Sequence, residues 1–214
     1  MRWKTLHYCL LLALIFGFGC THEIKPTSIT SPANSFEDCL AIFPDRPWEA
    51  VHRIEVRLGA RGSFSFIGLT KGDPAQHNLW CAVLSAEGFV LFEAEQRDDH
   101  LSVSRAMPPF DSSAFAKGLI EDVELIFFAP QGRPSESGTA ADGAFVCNWI
   151  EPNGPLKEIM RIKNDLWKIS FWKDQRKISR EVWLTKRSTD NFASQVELHA
   201  SGVHDYRLKM ILLK

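Results

Sequence analysis

Hydrophobic and polar residues alternate along most of the chain after Glu49, which is the period of a strand whose two faces differ. Eleven runs of this kind are predicted as strands: 51–58, 63–70, 78–85, 89–95, 100–105, 144–150, 156–162, 166–172, 177–186, 192–200 and 205–213. Glycine, asparagine and aspartate mark short turns between several of these runs. Because parallel pairing needs a crossover of about a dozen residues, the strands are predicted to pair antiparallel.

Two segments show helical spacing instead. A short helix is predicted over 35–43, where Phe36, Leu40 and Phe43 recur at helical intervals and Pro44 follows. A longer helix is predicted over 111–128, with Asp111, Ser112 or Ser113 as its N-terminal cap. Its apolar stripe is formed by Phe115, Leu119, Ile120, Val123 and Ile126. The last four residues of this segment are apolar on every side and are also compatible with a strand.

An antiparallel sheet of about eleven strands is too wide to stay open and flat, so it is predicted to curl around an interior. The fold class is therefore predicted as mainly β (α+β), an unclosed barrel lidded by one or two helices. The segment 129–143 contains three glycines and two prolines, which predicts a long mobile loop. This loop and the helix from Asp111 are the predicted gate of the barrel.

This order of elements resembles the lipoprotein-localisation carrier and receptor superfamily (LolA/LolB-like) of the Gram-negative envelope. The resemblance covers residues 36–214 by organisation, and locally 48–56 with 62–66 resembles the first hairpin of the receptor branch, while 206–210 resembles its last strand. It implies an apolar cavity that holds acyl chains. A looser resemblance is to small envelope lipoproteins encoded with aryl polyene or glycolipid synthesis, which implies the same fold.

The first twenty residues have the pattern of an export signal. Arg2 and Lys4 precede the uncharged stretch from Leu6 to Phe18, and Gly19 stands before Cys20. The stretch of 13 residues is shorter than the roughly 20 that a membrane-spanning helix needs. Residues 21–34 are polar, contain two prolines and are predicted as an extended linker.

The segment 14–20 resembles the signal of bacterial lipoproteins, although Gly17 and Phe18 stand where that family usually has leucine and a small residue. The resemblance implies that Cys20 receives a diacylglyceryl group, that 1–19 are removed, and that 20–34 tether a single domain, 35–214. Thr21 in place of aspartate resembles lipoproteins sorted to the outer membrane, which implies a lipid anchor on its periplasmic face. The alternative is an ordinary secretory signal cut near Gly19.

Charge and cysteine content narrow the function classes. Without residues 1–19 the chain has 23 basic and 26 acidic residues, a balance that does not indicate a nucleic-acid partner. The remaining thiols beyond Cys20 are Cys39, Cys81 and Cys147, which in an oxidising compartment allow one disulfide and one free cysteine without fixing the pairing. Their wide spacing matches no zinc or thioredoxin pattern.

The sequence contains no nucleophile elbow, zinc-protease helix or phosphate-binding loop, so an enzyme is not expected, nor is a cofactor or a metal site. Asp98, Asp99 and His100 are interpreted as a solvated hairpin tip. The basic run 168–187 is compatible with anionic lipid head groups or with a solvated hairpin face.

Several predicted strands are apolar on both faces, which is compatible with an interior cavity or with ordinary core packing. The residues predicted to line a cavity are Trp80, Leu91, Phe115, Leu119, Trp149 and Trp183. The expected function is an outer-membrane lipoprotein that binds an acyl chain or a lipidated partner, as carrier or acceptor. The alternative is a non-catalytic structural or interaction subunit of an envelope assembly, with a filled interior and an envelope protein partner.

Overall fold

The computed structural model describes residues 26–33, 35–59, 62–97, 100–151, 154–173, 177–186, 190, 192–202 and 205–214. Over these residues the chain forms one sheet of 13 strands and two helices. In chain order the elements are β1 (Ile29–Pro32), α1 (Glu37–Leu40), β2 (Trp48–Arg57), β3 (Ser63–Asp73), β4 (Asn78–Leu84), β5 (Val90–Arg97), β6 (His100–Ala106), α2 (Ser113–Phe127), β7 (Glu136–Ala140), β8 (Phe145–Ile150), β9 (Leu156–Lys163), β10 (Leu166–Trp172), β11 (Ile178–Thr185), β12 (Gln195–Ala200) and β13 (Tyr206–Leu212).

All neighbouring strands pair antiparallel, in the order β1-β7-β8-β9-β10-β11-β12-β13-β2-β3-β4-β5-β6. Two meanders therefore join where the last strand pairs with the first long one, with Leu212 opposite His52 and Arg207 opposite Arg57. The strands β1 and β6 end the sheet on either side, so the sheet is not closed. The predicted mainly β, antiparallel, unclosed architecture is confirmed.

One face of the sheet carries the hydrophobic core, and we call it the inner face. Alternation along β2 places Trp48, Ala50 and His52 on it, all buried. Helix α2 lies against this face, because Ile120 and Phe127 belong to the same buried cluster as inner residues of β4, β5, β8 and β11. The sheet thus buries its inner face under a helix rather than under a second sheet.

Helix α2 is amphipathic only in its first half. Lys117 and Glu121 are exposed, whereas most residues from Asp122 to Phe127 are buried on all sides. The Ser112 side chain accepts a hydrogen bond from the Phe115 amide at 3.1 Å, which caps the first turn as predicted. The apolar end 125–127 is therefore helical, and it is deeply inserted.

Helix α1 also lies on the inner face, where the half of the sheet containing β8 and β9 is located. A disulfide joins Cys39 of α1 to Cys147 of β8, and Cys81 is the free cysteine of the described residues. Arg161 of β9 pairs with Asp38 at 2.7 Å, and the Trp167 indole donates to the Asp38 carbonyl. The predicted short helix is thus present but is reduced to one turn.

The strand count differs from the predicted eleven because of β1 and β7. Both lie in segments predicted to be irregular, the linker 20–34 and the loop 129–143, and neither has an alternating apolar pattern. They pair through backbone hydrogen bonds at the edge of the sheet, where a Cβ atom on Gly138 would come within 2.3 Å of the Ser31 carbonyl oxygen. Only glycine permits this approach, and part of the predicted gate is therefore a strand.

The disulfide is expected to stabilise the fold because it closes a long loop, with its cysteines 108 positions apart in the sequence. Adding dithiothreitol should lower the free energy of unfolding by about 2–5 kcal/mol. Urea unfolding followed by tryptophan fluorescence measures this loss. A double variant Cys39→Ala/Cys147→Ala is the control, since its stability should not respond to the reductant. Equal stability of the natural protein with and without reductant would contradict the prediction.

Candidate functional site

The buried end of α2 lies among aromatic side chains of the inner face. The Phe127 ring centroid is 4.9 Å from that of Trp48 and 5.6 Å from that of His52. Trp48 also contacts Phe128 and Phe192, with ring centroids 6.3 and 5.6 Å away. The last turn of α2 is therefore packed into an aromatic part of the inner face.

Space for the Trp48 indole is provided by the neighbouring strand. Gly72 stands opposite Trp48 in the β2–β3 pair, and a Cβ atom there would come within 2.7 Å of the indole. The absence of a side chain at this position lets a large ring lie flat on the sheet.

A second group of rings holds the first turn of α2. Phe115 contacts Phe92 of β5 and Phe110, with centroid distances of 5.5 and 5.1 Å, and Phe110 contacts Phe66 of β3 at 5.7 Å. Aromatic pairs of this geometry contribute about 0.5–1.5 kcal/mol each beyond the area that they bury. The helix is thus fixed at both ends by apolar contacts.

A buried polar group fastens the middle of α2, and we call it the polar clasp: Asp122, Arg180 and Tyr206. The Arg180 Nε atom lies 2.7 Å from Asp122 Oδ1, and the Tyr206 hydroxyl donates to Asp122 Oδ2. Burial raises the pKa of the Asp122 carboxyl, while the Arg180 charge opposes that shift. Burial and the Asp122 carboxylate together raise the pKa of Tyr206. The clasp therefore joins α2 to β11 and β13.

Glu124 makes polar contacts on another side of α2. Its carboxylate accepts a hydrogen bond from Gln96 of β5 at 2.5 Å and lies 3.9 Å from His77 Nδ1. Burial raises the pKa of Glu124, and burial lowers the pKa of Lys157 on β9, against the charge of Glu124. Glu124 thus interacts electrostatically with both halves of the sheet across the helix.

Three polar side chains beneath the end of α2 contrast with these paired groups. Within the described part of the chain, Trp48 Nε1, both ring nitrogens of His52 and Thr70 Oγ1 are buried without a hydrogen-bond partner. Burial lowers the pKa of His52 to about 4, so the imidazole is neutral at pH 7. The sequence singled out neither His52 nor Thr70, because a polar residue at one inner position gives no periodic signal.

The predicted cavity residues divide between the two faces. Phe115 and Leu119 of α2 pack against the core, and Trp149 is buried on the inner face, where its indole donates to the Gly132 carbonyl at 3.5 Å. Leu91 lies at a bulge in the β4–β5 pair, next to the fully buried Phe92. Phe115 and Leu119 thus belong to the helix that covers the inner face, and Trp149 belongs to the sheet beneath it.

Trp80 and Trp183 lie on the outer face instead. Their chain neighbours Leu79 and Val182 take the buried inner positions, at 2% and 0% exposure. Trp80 donates to Glu93 at 3.2 Å, and Lys168 lies 5.0 Å from the Trp183 ring centroid. Because these strands are apolar on both faces, the alternation did not show which tryptophans point inward.

Two open clefts border α1. One, of about 700 Å³, lies between 28–36 and 133–137. The other, of about 550 Å³, is lined by Leu40, Phe43, Phe192 and the edge of Trp48, with Lys186 at its rim. The second cleft ends at Trp48, whose ring also contacts Phe127.

The basic run does not form one surface. Lys168 pairs with Glu181 on the outer face, whereas Arg180 is turned inward to Asp122. Among the described residues, no group of three or more His, Cys, Asp or Glu side chains is placed to hold a metal ion. Asp98, Asp99 and the predicted lipidation site Cys20 lie outside the described residues. None of the helices within the described ranges is long and apolar enough to cross a membrane.

The fold is similar to the crystal structure of a LolA superfamily protein from Nitrosomonas europaea, with a TM-score of 0.53 over 85% of this chain and 93% of that chain. The sequences are 9% identical, so the similarity shows the fold alone. No family model matches the sequence, and no curated protein matches it. The chain has a LolA-like fold, which confirms the fold part of the predicted resemblance.

The low pKa of His52 predicts how stability depends on pH. In the unfolded chain His52 binds a proton near pH 6.5, but in the folded protein only near pH 4. Its contribution to stability is therefore complete above pH 6.5 and is lost between pH 6.5 and 4, by on the order of 1 kcal/mol per pH unit. Urea unfolding at pH 7 and pH 5 should show a smaller loss for His52→Leu than for the natural protein.

Asp122 and Glu124 have raised pKa values, so their contributions to stability increase as the pH falls. Both residues are present in the natural protein and in His52→Leu. The comparison of His52→Leu with the natural protein therefore isolates the histidine. Identical losses of stability between pH 7 and pH 5 would show that His52 takes up a proton equally well in the folded state.

Proposed function

We propose that this protein binds an acyl chain or a lipidated partner on the inner face of its sheet, as a carrier or acceptor in the bacterial envelope. The observation that carries the proposal is that helices, rather than a second sheet, cover the apolar inner face of an unclosed sheet. The LolA-like fold supports it.

Binding would be an exchange of one apolar surface for another. The apolar end of α2, with Leu125, Ile126 and Phe127, would leave the inner face, and an acyl chain would take its place. Burial of apolar surface contributes about 25 cal/mol per Å² whether the surface belongs to a side chain or to a lipid. The net energy of opening is then dominated by the polar clasp and the aromatic contacts.

The segment that could move contains fewer residues than the gate predicted from the sequence. Residues 136–140 of the predicted loop form β7 and are part of the sheet, so the moving part would be α2 with the flanking segments 107–112 and 128–135. Neither flanking segment contains a strand, and movement of α2 would leave the pairing of the sheet intact.

The alternative function, a structural or interaction subunit, is favoured by one observation. In the structure the inner face is occupied by α2, with Phe92, Ile159 and Val182 completely buried. A protein whose helix never leaves this position would not bind lipid there. The two functions differ in whether α2 leaves the inner face.

Opening can be measured at Cys81, a buried inner-face thiol whose pKa burial raises to about 12. Asp122→Asn removes the charge that pairs with Arg180, and loss of a buried ion-pair partner costs roughly 3–5 kcal/mol. We expect iodoacetamide to label Cys81 at least about tenfold faster in this variant, since about 1.4 kcal/mol corresponds to tenfold. Peptide mapping of Cys81 by mass spectrometry gives the rate.

Glu121→Gln is the matched control, because Glu121 is the exposed neighbour on the same helix and should leave the labelling rate unchanged. Circular dichroism verifies that Asp122→Asn is folded. A dansyl-labelled fatty acid should protect Cys81 in both proteins, and native mass spectrometry should detect bound lipid. A Cys81 thiol that is equally unreactive in Asp122→Asn, together with no lipid bound, would favour the structural role.

The outer-membrane location belongs to this proposal and depends on Cys20. Cells fed an alkyne analogue of palmitate should incorporate the label into the natural protein and lose it in Cys20→Ala, with the protein released from the membrane fraction. Cys81→Ala is the control, because a buried thiol should not be acylated. Label that persists in Cys20→Ala would contradict the anchor without bearing on the lipid site.

A further inference from the structure

Three polar side chains of the inner face are buried without partners. They are Trp48 and His52 on β2 and Thr70 on β3, with exposures of 8%, 1% and 5%. In the described chain, Trp48 Nε1, His52 Nδ1 and Nε2, and Thr70 Oγ1 lack a hydrogen-bond partner. Buried polar groups in folded proteins are nearly always hydrogen-bonded, so three unpaired groups in one region require an explanation.

The register of the sheet makes the three residues neighbours. Thr70 is directly opposite Ala50, which lies between Trp48 and His52 at successive inner positions of β2. Residues that are directly opposite in an antiparallel pair have their side chains on the same face. The three polar groups therefore surround Ala50 on the inner face, and we call them the polar triplet.

The neighbouring positions on β3 are both glycine, with Gly72 opposite Trp48 and Gly68 opposite His52. The Trp48 indole lies over Gly72 and the Ile54 side chain lies over Gly68, so on this side the triplet is bordered by apolar groups. The cover is the Phe127 ring, which contacts both Trp48 and His52. Movement of the last turn of α2 would therefore uncover Trp48 and His52, and Thr70 stands opposite Ala50 between them.

The triplet is unfavourable for a site that is only a packed core. Each group has given up its hydrogen bonds to water and has gained none in return, whereas valine at 70 or leucine at 52 would fill similar space without that loss. Polar groups that weaken the closed state are expected where a ligand supplies the missing partners.

We propose that the polar triplet binds the neutral, oxygen-rich end of a lipid, such as the ester and hydroxyl groups of an acylglycerol, whose acyl chain lies on the inner face. This inference rests on the proposed function. The indole supplies a donor, the hydroxyl a donor and an acceptor, and the neutral imidazole one of each, which matches ester carbonyl and hydroxyl groups.

The chemistry of the triplet disfavours a charged head group. None of its members is a cation at neutral pH, because burial keeps the His52 imidazole unprotonated. A carboxylate or a phosphate in this position would be a buried charge with no opposite charge among the triplet, which is costly. A neutral acylglycerol is therefore expected to bind better than the free fatty acid of the same chain length.

The experiment compares three probes with one pyrene-labelled twelve-carbon chain, carrying a monoacylglycerol head, a carboxylate or no polar head. With the natural protein we expect the acylglycerol to bind at least about tenfold more tightly than the hydrocarbon. This factor corresponds to about two additional hydrogen bonds of ordinary strength. Thr70→Val and His52→Leu should each remove most of this preference while hydrocarbon binding stays within about twofold. Thr185→Val, at a half-buried outer position, is the control.

Thermal unfolding gives a second measurement that does not depend on a ligand. Since Thr70→Val removes an unpaired hydroxyl and keeps the shape, its Tm without lipid should equal or exceed that of the natural protein. A fall of several degrees would mean that the hydroxyl is hydrogen-bonded in the native state, and it would overturn the inference.

The binding outcomes separate this inference from the proposed function. If the hydrocarbon binds as well as the acylglycerol, or if the preference survives in Thr70→Val and His52→Leu, lipid binding stands and the role of the triplet is wrong. If none of the three probes binds to the natural protein, both proposals fail.

Discussion

The packing of α2 against the inner face determines the rest of this structure. An antiparallel sheet with two free edges cannot bury its own inner face, and the hydrophobic effect requires a cover. Here the cover is helical, and the second half of its longer helix, α2, is buried on all sides. The aromatic contacts of Trp48 and Phe115, the polar clasp and the contacts of Glu124 all serve to hold that helix.

The cover is held by two kinds of interaction that respond differently to a ligand. Apolar contacts such as Trp48 with Phe127 are not specific, and under the proposed function an acyl chain would replace them with little loss. The polar clasp is specific, because Asp122 has no equivalent in a hydrocarbon and would need water or another partner when α2 leaves. The clasp therefore sets the closed state, while the apolar contacts allow an exchange.

The sequence predicted the elements that follow from a hydrophobic period and missed those that do not. The stripe of α2 and the longer strands follow from periodicity, and the cap at Ser112 follows from its residue type. The strand β1 ends in a proline and β7 contains a glycine, neither has a hydrophobic period, and tertiary pairing alone makes them strands. The pairing of Cys39 with Cys147 depended on a contact between distant segments that no spacing reveals.

The candidate site was harder to predict because it depends on which face each residue occupies. Trp80 and Trp149 are both tryptophans in apolar strands, yet only Trp149 is turned to the core. A shift of one residue along a strand moves each side chain to the opposite face of the sheet. In strands that are apolar on both faces, the sequence does not show which residues face the core. The polar triplet was missed for the opposite reason, since His52 and Thr70 break the apolar pattern of an inner face that the sequence had marked as hydrophobic.

The pairing of the strands does not depend on the position of α2. Every strand pair is made by backbone hydrogen bonds among the strands themselves, and the two meanders join at β13 and β2 without any contribution from α2. The disulfide fastens α1 to β8, so the inner face near β8 and β9 stays covered whatever α2 does. An exchange of α2 for a lipid would then cost only the contacts of the helix, because neither a strand pair nor the disulfide would have to break.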